Sequence, residues 1–148
     1  MLNKKKAAAA GYGCKCKRRN TAVVATFTTG ILRRNPGTNF AVVDVVNLSR
    51  LYGRRVAVQV FDWSNGTPVA LPVMPCNATR CVVNVPVNAS RFLYADVSDV
   101  AFTYEVRVTR IVGHNLVTNV FGLSNAPLTP QTGNNVLERE LVRLRRMK

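Results

Sequence analysis

Acidic side chains are scarce in this chain: seven Asp and Glu stand against 21 Lys and Arg, and none of the seven lies in the first 19 residues. Little material is left for carboxylate chemistry. Asp96 and Asp99 come close only in Asp96-Val97-Ser98-Asp99, a turn sequence of the kind whose side chains bond their own backbone. A calcium loop needs more oxygen ligands than that. There is one histidine, His114, set in a turn beside Gly113, so neither a histidine-based triad nor a histidine metal site can be assembled. Glycines are scattered, with no spacing that cradles a phosphate. No apolar run approaches the ~20 residues of a membrane span, and the weak Ala7 to Gly13 stretch after Lys4-Lys5-Lys6 is too short for an export signal. These absences predict no enzyme, no cofactor, no metal and no membrane partner.

What remains is apolar and basic. The chain is 47% apolar and 19% charged, far from the composition of disordered proteins, and its 148 residues fit one domain. The charge of +14 is uneven. Lys4, Lys5, Lys6, Lys15, Lys17, Arg18 and Arg19 make an arm without acids, and residues 138–148 add a second basic block. Basic ends of this kind contact polyanions or keep a Val-rich body soluble by self-repulsion. Residues 1–19 therefore read as a flexible basic arm and 20–148 as the folded domain.

Four cysteines accompany this charge. Cys14 and Cys16 cannot readily bond to each other across one residue, whereas Cys76 and Cys81 bracket Asn-Ala-Thr-Arg in a loop that can close, a candidate disulfide within the domain. The arm thiols are then left to find partners elsewhere. A four-cysteine zinc site is the competing assignment, but Cys-x-Cys with Cys-x4-Cys departs from the usual Cys-x2-Cys knuckles.

Along the body, strand patterns follow one another with turn signals between them. Thr21 to Leu32 alternates Val23, Ala25 and Phe27 against Thr26 and Thr28. Phe40 to Leu48 is unusual: Val42-Val43 and Val45-Val46 put apolar side chains on both faces, which a strand tolerates only where both are covered, by the fold or by a neighbouring molecule, a first hint of packing beyond one subunit. Arg55 to Trp63 carries Val56, Val58 and Val60 on one face, and Asn65-Gly66 is a hairpin signal. Val69 to Met74 contains Pro72 and belongs on an edge. Cys81 to Val87 and Ser90 to Asp96 are shorter segments. Ala101 to Val112 alternates most cleanly, predicting Phe102, Tyr104, Val106 and Val108 inside and Thr103, Glu105, Arg107 and Thr109 outside. Leu116 to Leu123 follows. Residues 136–144 fit either a helix, through Leu137, Leu141 and Leu144, or a closing strand, which the rest of the pattern favours. About eight strands without a long helix predict an all-β, antiparallel two-sheet sandwich, jelly-roll-like.

Other motifs have bland explanations. Trp63 with Phe61 reads as core and strand-end lid rather than a stacking surface for bases or sugar. The N-x-S/T patterns at Asn47, Asn77 and Asn88 arise readily by chance in an Asn-rich chain.

The segments Val58-Gln59-Val60-Phe61-Asp62-Trp63-Ser64-Asn65-Gly66-Thr67-Pro68-Val69, Tyr104-Glu105-Val106-Arg107-Val108 and Asn119-Val120-Phe121-Gly122 resemble those of small β-sandwich proteins of spore-forming bacilli. The layout is also similar to that of endospore appendage subunits, a jelly-roll-type sandwich behind a cysteine-bearing connector. That resemblance implies a structural, self-assembling subunit of a fibre or surface layer on the spore. It further implies that Cys14 and Cys16 crosslink or dock onto neighbouring copies, with other surface-layer proteins as possible partners and release without a signal peptide. An extended 19-residue arm reaches roughly 60 Å, far beyond the roughly 14 Å radius of gyration of such a body. The alternative is a small viral-type coat protein whose arm, Lys4 to Arg19, neutralises nucleic acid.

Overall fold

The computed structural model describes residues 22–113, 115–126 and 128–145. Within them the chain forms β1 (Val24–Arg33), β2 (Phe40–Asn47), β3 (Arg54–Asp62), β4 (Val69–Leu71), β5 (Cys81–Val85), β6 (Ala89–Asp96), β7 (Thr103–Ile111), β8 (Leu116–Leu123), β9 (Pro130–Val136) and β10 (Val142–Arg143). A 3-10 turn at Glu138–Glu140 precedes the last of these. All pairings are antiparallel. One sheet runs β10-β1-β7-β3-β4, with β5 also on β3, and the other runs β6-β2-β8-β9.

The topology is a rolled ribbon. Strands β1, β2 and β3 cross from one sheet to the other and back, as do β5, β6 and β7. The two triplets pair in reverse order, β1 with β7, β2 with β6 and β3 with β5, so a long antiparallel hairpin is folded over itself as in a jelly roll. At the ribbon's tip Met74 and Tyr94 exchange backbone hydrogen bonds of 2.7 and 3.2 Å, which fold the tip back onto β6. Strands β8 and β9 extend the second sheet from the free side of β2.

Period-two alternation buries one face of each sheet. Val43 and Val45, Val56, Val58 and Val60, Leu93 and Ala95, and Tyr104, Val106 and Val108 are fully buried in one cluster, each branched side chain contributing roughly 1.5–3 kcal/mol. Tyr104 brings a hydroxyl into that core. It donates to Asn134 Oδ1 at 2.8 Å, and Asn134 Nδ2 donates to the Arg33 carbonyl at 3.0 Å, so these buried polar atoms are satisfied. Gly122 makes room for the pair, because a Cβ there would stand 2.5 Å from Asn134 Cβ and 3.0 Å from the Tyr104 hydroxyl.

Three expectations need correction. Phe102 precedes β7 and is 62% exposed, while Glu105, on the face predicted to be outside, is buried among neighbours from β1 and β3. In β1, Val23 lies before the strand and is exposed, and a bulge between Thr28 and Ile31, at Gly30 with φ +68°, resets the alternation. Residues 136–144 are not one closing strand. Glu138 turns back to accept from Thr118 N and Oγ1 at 2.7 and 2.6 Å and to pair with Arg110, and Glu140 accepts from Leu137 N at 2.7 Å. The extended path is broken there, and only Val142–Arg143 closes against β1.

Candidate docking surface

The face of the second sheet that points away from the core is built from even-numbered positions of β2 and β6 and odd-numbered positions of β8. Register places Val42 between Tyr94 and Phe121, Phe40 beside Leu123, and Asp44 between Phe92 and Asn119. These side chains alternate with the buried Ala41, Val43, Val45, Leu93 and Val120. A sheet with one face in the core would ordinarily be polar outside. Here it is aromatic and aliphatic instead.

Phe40, Val42, Asp44, Phe92, Tyr94, Leu123 and Leu128 enclose a groove of about 520 Å³. Tyr94 packs edge-on against Phe40 at 5.9 Å between centroids and stacks on Phe92 at 6.3 Å, so the rings form a fixed platform. Phe92 and Leu128 remain 64% and 62% exposed. The outward positions of β2, β6 and β8 hold two ionisable acids, Asp44 and Asp96, and no base. Burial among these apolar neighbours pushes the Asp44 carboxyl above its ordinary range. On a chain of charge +14, these outward positions are free of basic side chains.

Sequence reasoning found the two-faced strand but not its partners. The doubled valines pointed to β2, whereas Phe92 and Leu128 fall in unremarkable local sequence and reach the groove only through pairing and the β8–β9 connection.

Cys76 and Cys81 form the predicted disulfide, with Cys81 fully buried. Both sulfurs are thereby used, which removes the four-cysteine zinc site. Among the described residues no cluster of three or more His, Cys, Asp and Glu side chains stands ready for a metal. Cys14, Cys16, Lys4, Lys5, Lys6, Lys15, Lys17, Arg18, Arg19 and His114 lie outside the described residues.

Trp63 is half-buried and donates from Nε1 to Glu105 Oε2 at 2.9 Å. It is an anchor for that carboxylate rather than a core ring. Asn47 is fully buried and donates from Nδ2 to the carbonyls of Tyr52, Val85 and Pro86 at 3.0 to 3.1 Å, so a sugar cannot be attached there without unfolding the site. Asp96 Oδ1 accepts from Ser98 N at 2.8 Å, the local turn bonding its sequence predicts. Compared with known proteins, the chain matches no family model, no curated protein and no solved structure.

Proposed function

We propose that this protein is a structural subunit that assembles with copies of itself through the outer face of the β6-β2-β8-β9 sheet. Residues 1–19 then dock on or crosslink to neighbouring subunits through Cys14 and Cys16. The observation that carries this reading is the apolar outer face around Val42, which lacks any basic residue although the chain is strongly basic. Exposed apolar patches of this kind mark association sites, and a stable interface of about 800 Å² per partner is within the compass of one sheet face. The spore-surface fibre or layer, outside the cell, is the setting suggested by the sequence resemblance.

The test is sedimentation velocity and negative-stain microscopy of the full chain against a Phe92→Asp, Leu128→Asp variant, whose changed side chains are already exposed. The wild type should form large species and the variant should stay monomeric. Wild-type protein that remains a monomer at high concentration would end this reading. Under the coat-protein alternative, nuclease would dissolve the assemblies, whereas reductant or Cys14→Ala with Cys16→Ala would leave them intact.

A further inference from the structure

A second exposed apolar feature stands at the end of the sandwich where β2 gives way to β3. Leu51 is 76% exposed and Tyr52 61%, with Leu48 and Val87 also open to solvent. A braced frame holds these side chains out. Ser49 Oγ accepts from Leu51 N and Tyr52 N at 3.3 Å, the Ser49 carbonyl accepts from Asn88 N at 3.2 Å, and the Asn115 carbonyl accepts from Leu48 N at 2.8 Å. Buried Asn47 ties the Tyr52 carbonyl to those of Val85 and Pro86, so the β2–β3 and β5–β6 loops make one tip. Apolar side chains held in solvent by so many hydrogen bonds mark a contact surface.

The tip and the groove around Val42 carry opposite charge. Residues 45–61 and 81–95, which contain the tip and its flanking strands, hold Arg50, Arg54, Arg55 and Arg91 and no Asp or Glu. Arg50 is exposed, and the Arg54 guanidinium lies 5.4 Å from the centre of the Tyr52 ring. The outward groove positions have the acids Asp44 and Asp96 and no base. Joining two copies groove to groove would set these acids against their own kind, whereas groove and tip attract. The two surfaces also lie at opposite ends of β2. Phe40 opens that strand within the groove and Leu48 follows its last residue at the tip, so a strand of 8 residues, roughly 25 Å long, separates them. One copy can therefore offer its tip while its groove is filled.

We propose that the tip around Leu51 and Tyr52 of one copy inserts into the groove over Phe92 and Leu128 of the next. This contact rests on the self-assembly proposed above and supplies its second surface. Asp96, exposed on the groove face, draws in the arginines of the tip, and Asp44 comes to lie under the apolar side chains. Because the two surfaces differ, the contact is heterologous. Each copy joins the last in the same orientation, giving an open chain or a ring rather than a closed face-to-face pair.

The test uses the full chain with Cys14→Ala and Cys16→Ala as parent, so that arm disulfides do not hold copies together. Onto it are placed the groove changes Phe92→Asp, Leu128→Asp or the tip changes Leu51→Asp, Tyr52→Asp, with Leu51→Ser as a second tip variant should the double one melt early. Sedimentation velocity should show association weakened about thirtyfold or more in either variant alone. An equimolar mixture of the two decides the geometry. It brings together one intact tip and one intact groove, so a dimer should form and grow no further. A tip variant that assembles like its parent overturns the proposal while leaving self-association through the outer sheet face standing. A mixture that stays monomeric overturns it too. A monomeric parent beside an assembling wild type makes the arm the link and likewise ends the tip-in-groove contact.

Discussion

Arg107 closes on Glu105 from two positions along the same strand, with Nε 2.9 Å from Oε1 and Nη2 2.9 Å from Oε2, while its guanidinium lies 4.5 Å from the centre of the Phe61 ring. Thr28 Oγ1 donates to the same carboxylate at 2.5 Å and Trp63 Nε1 at 2.9 Å. One acid therefore links β1, β3 and β7, and its removal would strand several donors at once.

Burial alone would raise the Glu105 pKa, but the hydrogen bonds from Arg107, Thr28 and Trp63 outweigh it and hold the carboxyl below its ordinary range. A depressed carboxylate contributes stability that is present above its unfolded pKa of about 4.3 and is lost as pH falls through the folded value. Glu105→Gln should thus destabilise at pH 7, and Glu105→Ala by roughly 3 kcal/mol. Urea denaturation should show the difference between wild type and Glu105→Gln shrinking as the pH is taken below 4. A pH-independent difference would contradict this account.

Gly122→Ala should lower stability by about 1–3 kcal/mol, since the new methyl collides with Asn134 and with the Tyr104 hydroxyl. Calorimetry would read this as a lower Tm. An unchanged Tm would mean that β8 and β9 shift apart without cost.

Reducing the Cys76–Cys81 disulfide should cost about 2 kcal/mol, as expected for a short closed loop. Denaturant midpoints with and without reductant measure it. In native, non-reduced protein, alkylation followed by mass spectrometry should leave Cys76 and Cys81 unmodified, and modification of Cys81 would be the contrary result.

Asp44 has its pKa raised by burial, so its charge opposes further covering of the groove, and protonation or removal of the charge should favour association. Phe92 and Asn119 flank it directly across the sheet, and Tyr94 follows Phe92 on the same face. Sedimentation of the wild type should therefore show larger species as the pH is lowered from 7 through the raised Asp44 transition. Asp44→Asn should already give the larger species at pH 7, with the pH dependence reduced. Identical profiles for the two proteins would remove Asp44 from the contact.

Much of the fold was legible because a strand writes its burial into every second residue. The runs Val56-Val58-Val60 and Tyr104-Val106-Val108 identify β3 and β7, and the Asn-Gly turn between β3 and β4 needs only local sequence. The role of Glu105 was not legible. On the alternation it reads as a solvent-facing charge, and its partner Thr28 is 77 residues away. Arg110 and Glu138 escaped notice for the same reason, and the groove escaped in part, since Phe92 joins Val42 only once β6 and β2 lie in register.

The amino-acid pattern alone determined that this chain is an all-β sandwich with a basic leading segment and a closable cysteine loop, because side-chain periodicity, turn residues and spacing act over a few neighbours. Tertiary structure decided which faces are covered, which charges meet and which remain unmatched. Those outcomes depend on the pairing of β1 with β7, β2 with β6 and β3 with β5, contacts between distant residues that no local window contains.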